Sequence, residues 1–268
     1  MTTRHSHREA PHLLHSATEM RALFEMALLP YALPALLTAP RGDGHTVLLL
    51  PGFMASETSL IALKLFLSNR GHDVHTWGLG RNVGFSNRHA ETFEQKIRHL
   101  HHTSGRKVSL IGWSLGGVFA LYGAHQAPEC VRSVITLGSP VSVDPAGSKS
   151  PPIVQALYRL IAHPLGPQAH SMQPQVKKLR EKRAPSMPMS CLYSVTDGVV
   201  PPQEATIDGD AALHENIRVP GSHTGLGFNA IVLWIVAERL AQPEGQWKPF
   251  APAGVAGSLY RMVAPAPA

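Results

Sequence analysis

The stretch Lys107–Gly117, KVSLIGWSLGG, decides the fold of this chain. It joins a short apolar run to the helix-length stretch Leu115–Gln126, which predicts a buried strand turning directly into a helix. Ser114 lies in the turn, with Gly112 two residues before it and Gly116 two residues after it. Small residues are needed there because the strand and the helix pass close together. An ordinary glycine-rich turn is the alternative interpretation.

Short apolar runs alternate with helix-length stretches from residue 45 onward. This alternation predicts an α/β fold with a mostly parallel sheet of about six strands and helices on both faces. The predicted strands are His45–Leu50, Asp73–Trp77, Lys107–Gly112, Val131–Leu137, Ser190–Val195 and Asn216–Val219. The predicted helices are Leu60–Asn69, Ala90–His102, Leu115–Gln126 and Leu226–Leu240.

Three segments lie outside this alternation. Residues 1–43 are predicted to be an N-terminal apolar helical extension of a domain that spans residues 44–268. Residues 142–188 carry no strand signal and many prolines, which predicts an inserted small helical cap. From about residue 243 the chain is rich in Pro and Ala, and this tail either wraps the fold or is partly loose.

The most apolar stretch, Met26–Pro40, has 15 residues without a charge. A membrane-spanning helix needs about 20, and Pro30 and Pro34 interrupt this one. The stretch also fits a signal peptide poorly, so the expectation is a cytoplasmic protein. The stretch is predicted to form one or two amphipathic helices that either cover an edge of the fold or lie on a membrane surface, with the peripheral membrane contact made through residues 20–40.

Composition excludes several classes of function. The chain has 268 residues, 44% of them hydrophobic and 16% charged, which indicates a globular domain. The net charge is +6, but the basic run Lys177–Arg183 has no interleaved aromatic residue, so no nucleic acid partner is expected. The 2 cysteines and the pattern of the 16 histidines predict no metal site. The loop Gly78–Gly84 lacks the dinucleotide spacing, so no cofactor is expected. The sequence does not predict an oligomeric state.

Ser114 needs a base to become a nucleophile, and chain position selects one histidine. His223 follows the last predicted strand and precedes the last predicted helix, although a structural histidine there is the alternative. Asp197 follows the preceding strand and is the candidate acid that orients the imidazole. Asp144, after an earlier strand, is the second candidate for this acid.

An oxyanion hole is predicted after the first strand, in Leu50–Met54. The backbone amide of Phe53 can face the developing negative charge, and the amide of Leu115 at the start of a helix supplies a second donor. Met54 is the alternative first donor if the loop is shifted by one residue. A plain Pro-Gly turn is the alternative without function.

The motifs LLLPGF, GWSLGG, TLGSP, DGVVP and PGSHTGLG follow one another in this order. Over about Gly44–Leu240 the chain resembles the α/β-hydrolase superfamily, in its bacterial lipase and esterase branch. The resemblance implies a serine-hydrolase triad at Ser114, Asp197 and His223, and a cap between two late strands. The usual first two antiparallel strands have no clear counterpart, and Pro51 stands where many relatives have histidine. Neither departure removes a catalytic group.

The expected function is hydrolysis of carboxylic esters through an acyl-enzyme, with a small-molecule or lipid ester of short-to-medium acyl length as substrate. An acyltransferase with the same triad and a non-catalytic binding module are the alternatives. An apolar stripe in the cap either lines the acyl pocket or packs on the domain body. The predicted pocket residues are Met54, Ile153, Leu157, Leu160 and Ile161.

Overall fold

The computed structural model describes residues 13–84, 87–142, 149, 151, 184–252 and 254–264. The strands are β1 (Thr46–Leu50), β2 (Asp73–Thr76), β3 (Val108–Trp113), β4 (Val131–Leu137), β5 (Met189–Tyr193) and β6 (His214–Arg218). The helices are α1 (Leu13–Ala17), α2 (Ala22–Leu36), α3 (Ile61–Asn69), α4 (Asn87–Ser104), α5 (Leu115–Gln126), α6 (Ala230–Leu240) and α7 (Gly254–Val263). Short 3-10 turns occupy Thr18–Arg21, Glu57–Leu60, Pro128–Cys130, Pro202–Glu204 and Thr224–Gly227. Most of the predicted cap lies outside the described residues.

The six strands form one sheet in the order β2-β1-β3-β4-β5-β6. All neighbouring strands in this sheet run parallel, so their carboxyl ends share one edge. The predicted α/β fold with a parallel sheet is therefore confirmed. In open α/β sheets this carboxyl edge is where binding and catalytic groups gather.

Both faces of the sheet are covered by helices, as the sequence predicted. Along β1, Val47 and Leu49 belong to the apolar cluster that includes α3 and α6. Leu48 and Leu50 belong to the opposite cluster, which includes α4 and α5. Successive side chains of a strand point to opposite faces, so burial of the whole strand requires apolar residues at every position.

The cluster on the α4–α5 face has an aromatic centre. Phe119 of α5 is fully buried and meets Trp77 and Phe93 edge to face, with ring centroids 5.7 and 6.2 Å away. Edge-to-face contacts at such distances are favourable because the positive ring edge meets the negative ring face. This packing fixes α5, and with it the turn that begins the helix.

Helix α2 differs from its prediction. It runs continuously through Pro30 and Pro34, and within it only Ala22 and Leu36 are buried. The predicted amphipathic pattern is wrong, because apolar side chains lie all round the helix and many face outward. Leu29 still packs against the cluster that contains α6. No helix among the described residues combines the length and the apolar character that a membrane crossing requires.

The described part of the C-terminal tail wraps the β6 edge of the sheet. The backbone N–H of Phe250 donates to Glu215 at 2.6 Å, and the Tyr260 hydroxyl donates to the Arg218 carbonyl at 2.8 Å. The Phe250 and Tyr260 rings meet edge to face with centroids 5.1 Å apart. The sequence did not predict the helix α7 in this tail.

We expect Phe119→Ala to lower the free energy of unfolding by about 3–5 kcal/mol, because it removes a buried ring and leaves a cavity. The matched change Phe24→Ala removes a ring that is 76% exposed, and it should shift stability by about 0.5 kcal/mol or less. Urea unfolding followed by circular dichroism measures both. Equal losses in the two variants would contradict the placement of Phe119 at the centre of this cluster.

Candidate active site

Ser114 occupies a strained turn between β3 and α5. Its backbone has φ 53° and ψ −125°, in a region that residues with a Cβ seldom adopt. The turn is held by Ser114 N–H, which donates to the Leu137 carbonyl at 2.9 Å. A Cβ added at Gly112 would overlap the backbone of Gly116, and one added at Gly116 would overlap the Leu50 carbonyl. The close crossing predicted from the glycine spacing is confirmed.

His223 and Asp197 form a buried pair at the carboxyl edge of the sheet. His223 Nδ1 lies 2.8 Å from Asp197 Oδ2, and the two residues are 5% and 2% exposed. Asp197 follows β5 and His223 follows β6, at neighbouring strand ends. The Nδ1 contact fixes the ring so that Nε2 is the nitrogen left for proton transfer.

Backbone N–H groups of the loop that contains Asp197 stabilise the negative charge of its carboxylate. Asp197 Oδ1 accepts hydrogen bonds from the backbone N–H groups of Val199 and Val200 at 2.8 and 2.7 Å. Burial alone would lower the pKa of His223, but the charge and hydrogen bond of Asp197, with a smaller effect of Glu19, raise it above its usual range. A protonated His223 is therefore better stabilised here than in water.

Trp113 connects the serine turn to the histidine loop. Its indole Nε1 donates to the His223 carbonyl at 3.0 Å, and the two rings lie 5.8 Å apart at their centroids. Within the described ranges, no hydrogen bond joins the Ser114 hydroxyl to His223. Catalytic bonds of this kind are often long until substrate binds. The Trp113 contact therefore holds the serine turn beside the histidine loop, although Ser114 and His223 are not hydrogen-bonded.

The candidate oxyanion loop is braced by a residue that the sequence did not single out. The side chain of buried Asn82 donates from Nδ2 to the Pro51 carbonyl at 2.7 Å. The backbone carbonyl of Asn82 accepts from Met54 N–H at 2.7 Å. This bond argues against Met54 as the first oxyanion donor. Leu115 is the first residue of α5, so its N–H has no acceptor within the helix. Asn82 lies in the Gly78–Gly84 loop, whose glycines were the only sequence signal near it.

Several predicted residues lie outside the described part of the chain. The four predicted pocket residues of the cap and the second candidate acid belong to this group, and their roles stay predictions. They are Asp144, Ile153, Leu157, Leu160 and Ile161.

The N-terminal segment also reaches this site, which the sequence analysis did not foresee. Glu19 accepts hydrogen bonds from the backbone of His223, and Arg21 donates to the Thr196 carbonyl beside Asp197. The partners are separated by 204 and 175 residues along the chain. No local pattern indicates contacts across such separations.

A second polar cluster lies near the start of β1 and β2. Ligand atoms of Asp43, His45 and His72 lie within 4.8 Å of one another, a grouping that could hold a metal ion. Asp43 already contacts His45 at 2.6 Å, Arg106 at 2.5 Å and Arg132 at 2.9 Å. Burial alone would raise the pKa of Asp43, but the bonds from His45 and Arg132 hold it well below its usual range. The two arginines oppose a dication, so an ion-pair role fits this cluster better.

Comparison with known proteins assigns the chain to one family. Residues 45–179, half of the chain, match the family described as alpha/beta hydrolase fold. The chain belongs to this family. A curated relative, pimeloyl-[acyl-carrier protein] methyl ester esterase of Citrobacter koseri, is 34% identical over 103 residues. That match covers 38% of this chain and 39% of the esterase.

Solved structures of several lipases share the fold at low sequence identity. Aspergillus fumigatus lipase B has a TM-score of 0.58 at 17% identity, over 78% of this chain and 56% of that one. The mature Bacillus licheniformis lipase BlEst2 gives 0.52 at 17% identity, over 76% and 95% of the two chains. The Paleococcus ferrophilus monoacylglycerol lipase gives 0.51 at 18% identity, over 75% and 96%. These likenesses concern the fold alone.

The His223–Asp197 pair predicts a titration that NMR can follow. The imidazole of His223 should titrate above its ordinary value of about 6.5, and Asp197→Asn should bring its pKa below that value. The reason is that burial, the largest effect on this pKa, disfavours the imidazolium and outweighs the smaller effect of Glu19 once the charge of Asp197 is removed. His45, whose pKa burial lowers to about 4, is the internal control and should not respond. An unchanged His223 titration in the variant would contradict the pairing.

Proposed function

We propose that this protein hydrolyses carboxylic esters with Ser114 as nucleophile, His223 as base and Asp197 as the acid that orients it. The observation that carries the proposal is the buried contact between His223 Nδ1 and Asp197 Oδ2 at 2.8 Å. It leaves Nε2 as the proton acceptor at the edge of the sheet where Ser114 stands on its strained turn.

In the acylation step, Ser114 Oγ attacks the ester carbonyl carbon while His223 Nε2 takes the hydroxyl proton. The negative charge that develops on the carbonyl oxygen is stabilised by the backbone N–H groups of Phe53 and Leu115. Asp197 stabilises the imidazolium without itself becoming protonated. His223 then gives its proton to the leaving alcohol, and the acyl group remains on Ser114.

In the deacylation step, water replaces the alcohol. His223 takes a proton from this water, whose oxygen attacks the acyl carbon of the acyl-enzyme. The proton then passes to Ser114 Oγ as the carboxylic acid leaves, which restores the resting site. The same steps with an alcohol in place of water would transfer the acyl group, so product analysis with added alcohol distinguishes a hydrolase from an acyltransferase.

The curated relative gives independent support for an ester as substrate. Its name describes an esterase that acts on a methyl ester of an acylated carrier protein. The shared stretch spans 39% of that protein, so this support extends to the reaction class and not to its substrate.

We expect Ser114→Ala to lower kcat for p-nitrophenyl butyrate by about 10⁴–10⁶-fold, and Asp197→Asn by about 10⁴-fold, because the triad acts as a unit. Asp144→Asn should remain within a few-fold of wild type. Ser133→Ala is the matched control, since Ser133 bonds Ser109 on neighbouring strands of the sheet. A fluorophosphonate probe should label wild type and not Ser114→Ala.

Three outcomes would contradict the proposal. Labelling of Ser114→Ala to the wild-type extent would assign the nucleophile to another residue. A large loss in Asp144→Asn with full activity in Asp197→Asn would place the acid after β4 instead of β5. A wild type that neither hydrolyses esters nor reacts with the probe would favour a binding module.

We further propose that α2 presents this site to a phospholipid surface, so that a lipid ester is a natural form of the substrate. Leu23, Phe24, Leu28 and Tyr31 are 60%, 76%, 62% and 83% exposed. A contiguous apolar helix surface of this kind gains free energy when it enters the headgroup boundary of a membrane. The net charge of +6 attracts the chain to anionic lipid, and the turn that precedes α2 contacts the loops of the site.

We expect the wild-type chain to float with vesicles of phosphatidylcholine and phosphatidylglycerol, and the double variant Phe24→Ser, Leu28→Ser to lose most of that binding. Each apolar side chain that leaves water contributes about 1.5–3 kcal/mol, so two serines should weaken binding more than tenfold. Leu65→Ser on α3, where the side chain is 63% exposed, is the matched control. Equal flotation of wild type and the double variant would contradict the proposed contact between α2 and lipid.

A further inference from the structure

One carboxylate of the N-terminal segment joins the acid loop to the histidine loop. Glu19 Oε1 accepts from the backbone N–H of Gly198 at 2.9 Å and of His223 at 3.0 Å. Glu19 Oε2 accepts from the N–H of Thr224 at 3.0 Å. Gly198 directly follows Asp197, so this side chain fixes the backbone of both members of the pair from outside their own strands.

Arg21 also bridges the two loops, and Glu25 adds a contact to the histidine loop. Arg21 Nη2 donates to the Thr196 carbonyl of the acid loop at 2.5 Å and to the Gly221 carbonyl of the histidine loop at 3.0 Å. Glu25 Oε1 accepts from Ser222 N–H at 2.8 Å. The segment therefore contacts each loop with more than one charged side chain.

The orientation of the segment is the reverse of ordinary helix packing. Glu19 and Glu25 are only partly exposed and face the loops, while Leu23 and Phe24 between them are 60% and 76% exposed. A helix that served only to cover the fold would bury its apolar side chains and expose its charges. Here the charged groups make the contact, and charge-assisted bonds to backbone N–H groups are directional.

We propose that Glu19 is a positioning residue, whose carboxylate sets the backbone of His223 relative to Asp197 and favours the charged imidazole formed during the reaction. This role rests on the proposed function of the triad. Glu19 touches neither the substrate nor the reacting atoms, and it acts through His223. Its removal should lower the rate of the proton-transfer steps more than the affinity for substrate.

The charges around His223 give the expected direction of a pH effect. Burial alone would raise the pKa of Glu19, but the N–H bonds from Thr224, His223 and Gly198 lower it, so the group is ionised at neutral pH. Asp197 contacts the imidazole directly, and Arg21 and Glu25 bind the backbone of Gly221 and Ser222, which precede His223. Loss of the negative charge of Glu19 destabilises the imidazolium and lowers the pKa of His223.

Glu19→Gln tests the proposal with the smallest change in shape. The amide keeps one acceptor oxygen, but it loses the charge and places an NH2 group where an oxygen accepted a bond. We expect kcat for p-nitrophenyl butyrate to fall by about tenfold with KM nearly unchanged, and the acid limb of the pH profile to move to lower pH. Glu19→Ala should lower kcat further, so that glutamine gives partial rescue.

Glu215→Gln is the control for a loss that is only structural. Glu215 also accepts several bonds, from Ser190 Oγ at 2.5 Å, Phe250 N–H at 2.6 Å and Arg239 at 2.9 Å, but near the amino end of β6. This variant should lower Tm while kcat per folded molecule and the acid limb stay at wild-type values. Retention of either the wild-type kcat or the wild-type acid limb in Glu19→Gln overturns the proposal.

NMR titration of His223 separates this proposal from the function on which it rests. The ring pKa is measured in wild type and in Glu19→Gln without any substrate, and it should be lower in the variant. If wild type hydrolyses no ester, the proposed function fails, and the titration alone then decides whether Glu19 acts on His223. An unchanged His223 pKa in Glu19→Gln overturns the inference in either case.

Discussion

The close crossing of β3 and α5 is the constraint on which the rest of the site depends. Gly112 and Gly116 let the two backbones approach to a distance that a Cβ would block, and the turn between them forces Ser114 to a positive φ. A strained backbone conformation of this kind persists only where several surrounding contacts hold it in place. Here the Leu137 carbonyl holds the Ser114 amide, and the buried Phe119 holds the helix against the sheet. The packing of the core therefore stabilises a conformation that exposes a hydroxyl at the carboxyl edge.

The buried acid and base are stable for a related reason. A carboxylate removed from water loses hydration free energy, and this loss is tolerated only when donors replace the water. Asp197 receives two backbone N–H bonds from its own loop and the ring contact from His223. The ring can gain or lose a proton, while the backbone donors stay fixed. The pair is thus preorganised for the positive charge that the proposed mechanism places on the imidazole.

The predictable parts of this structure are those with local signals. The four inner strands of the sheet are buried and lie in short apolar runs. The glycines around Ser114 reflect a close backbone approach that is decided within five residues of sequence. The positions of Asp197 and His223 follow because strand ends of a parallel sheet share one edge. The contacts of Glu19 and Asn82 have no such signal, since their partners are distant in sequence and ordinary backbone groups. The charged side chains through which the N-terminal segment contacts the site were likewise not predicted, because their partners are backbone groups of distant loops.

The two ends of the sheet contrast in how they hold charge. Near the amino end of the strands, Asp43 is paired with Arg106 and Arg132, whose guanidinium groups stay protonated at any pH of interest. A carboxylate neutralised by permanent cations can stabilise the fold, but it cannot drive a proton transfer. At the carboxyl end, Asp197 faces an imidazole, which changes its charge near neutral pH. Asp43 also contacts the His45 imidazole, but burial and Arg132 lower the pKa of that ring, whereas Asp197 raises the pKa of His223. The proposed proton transfer therefore uses the carboxyl end.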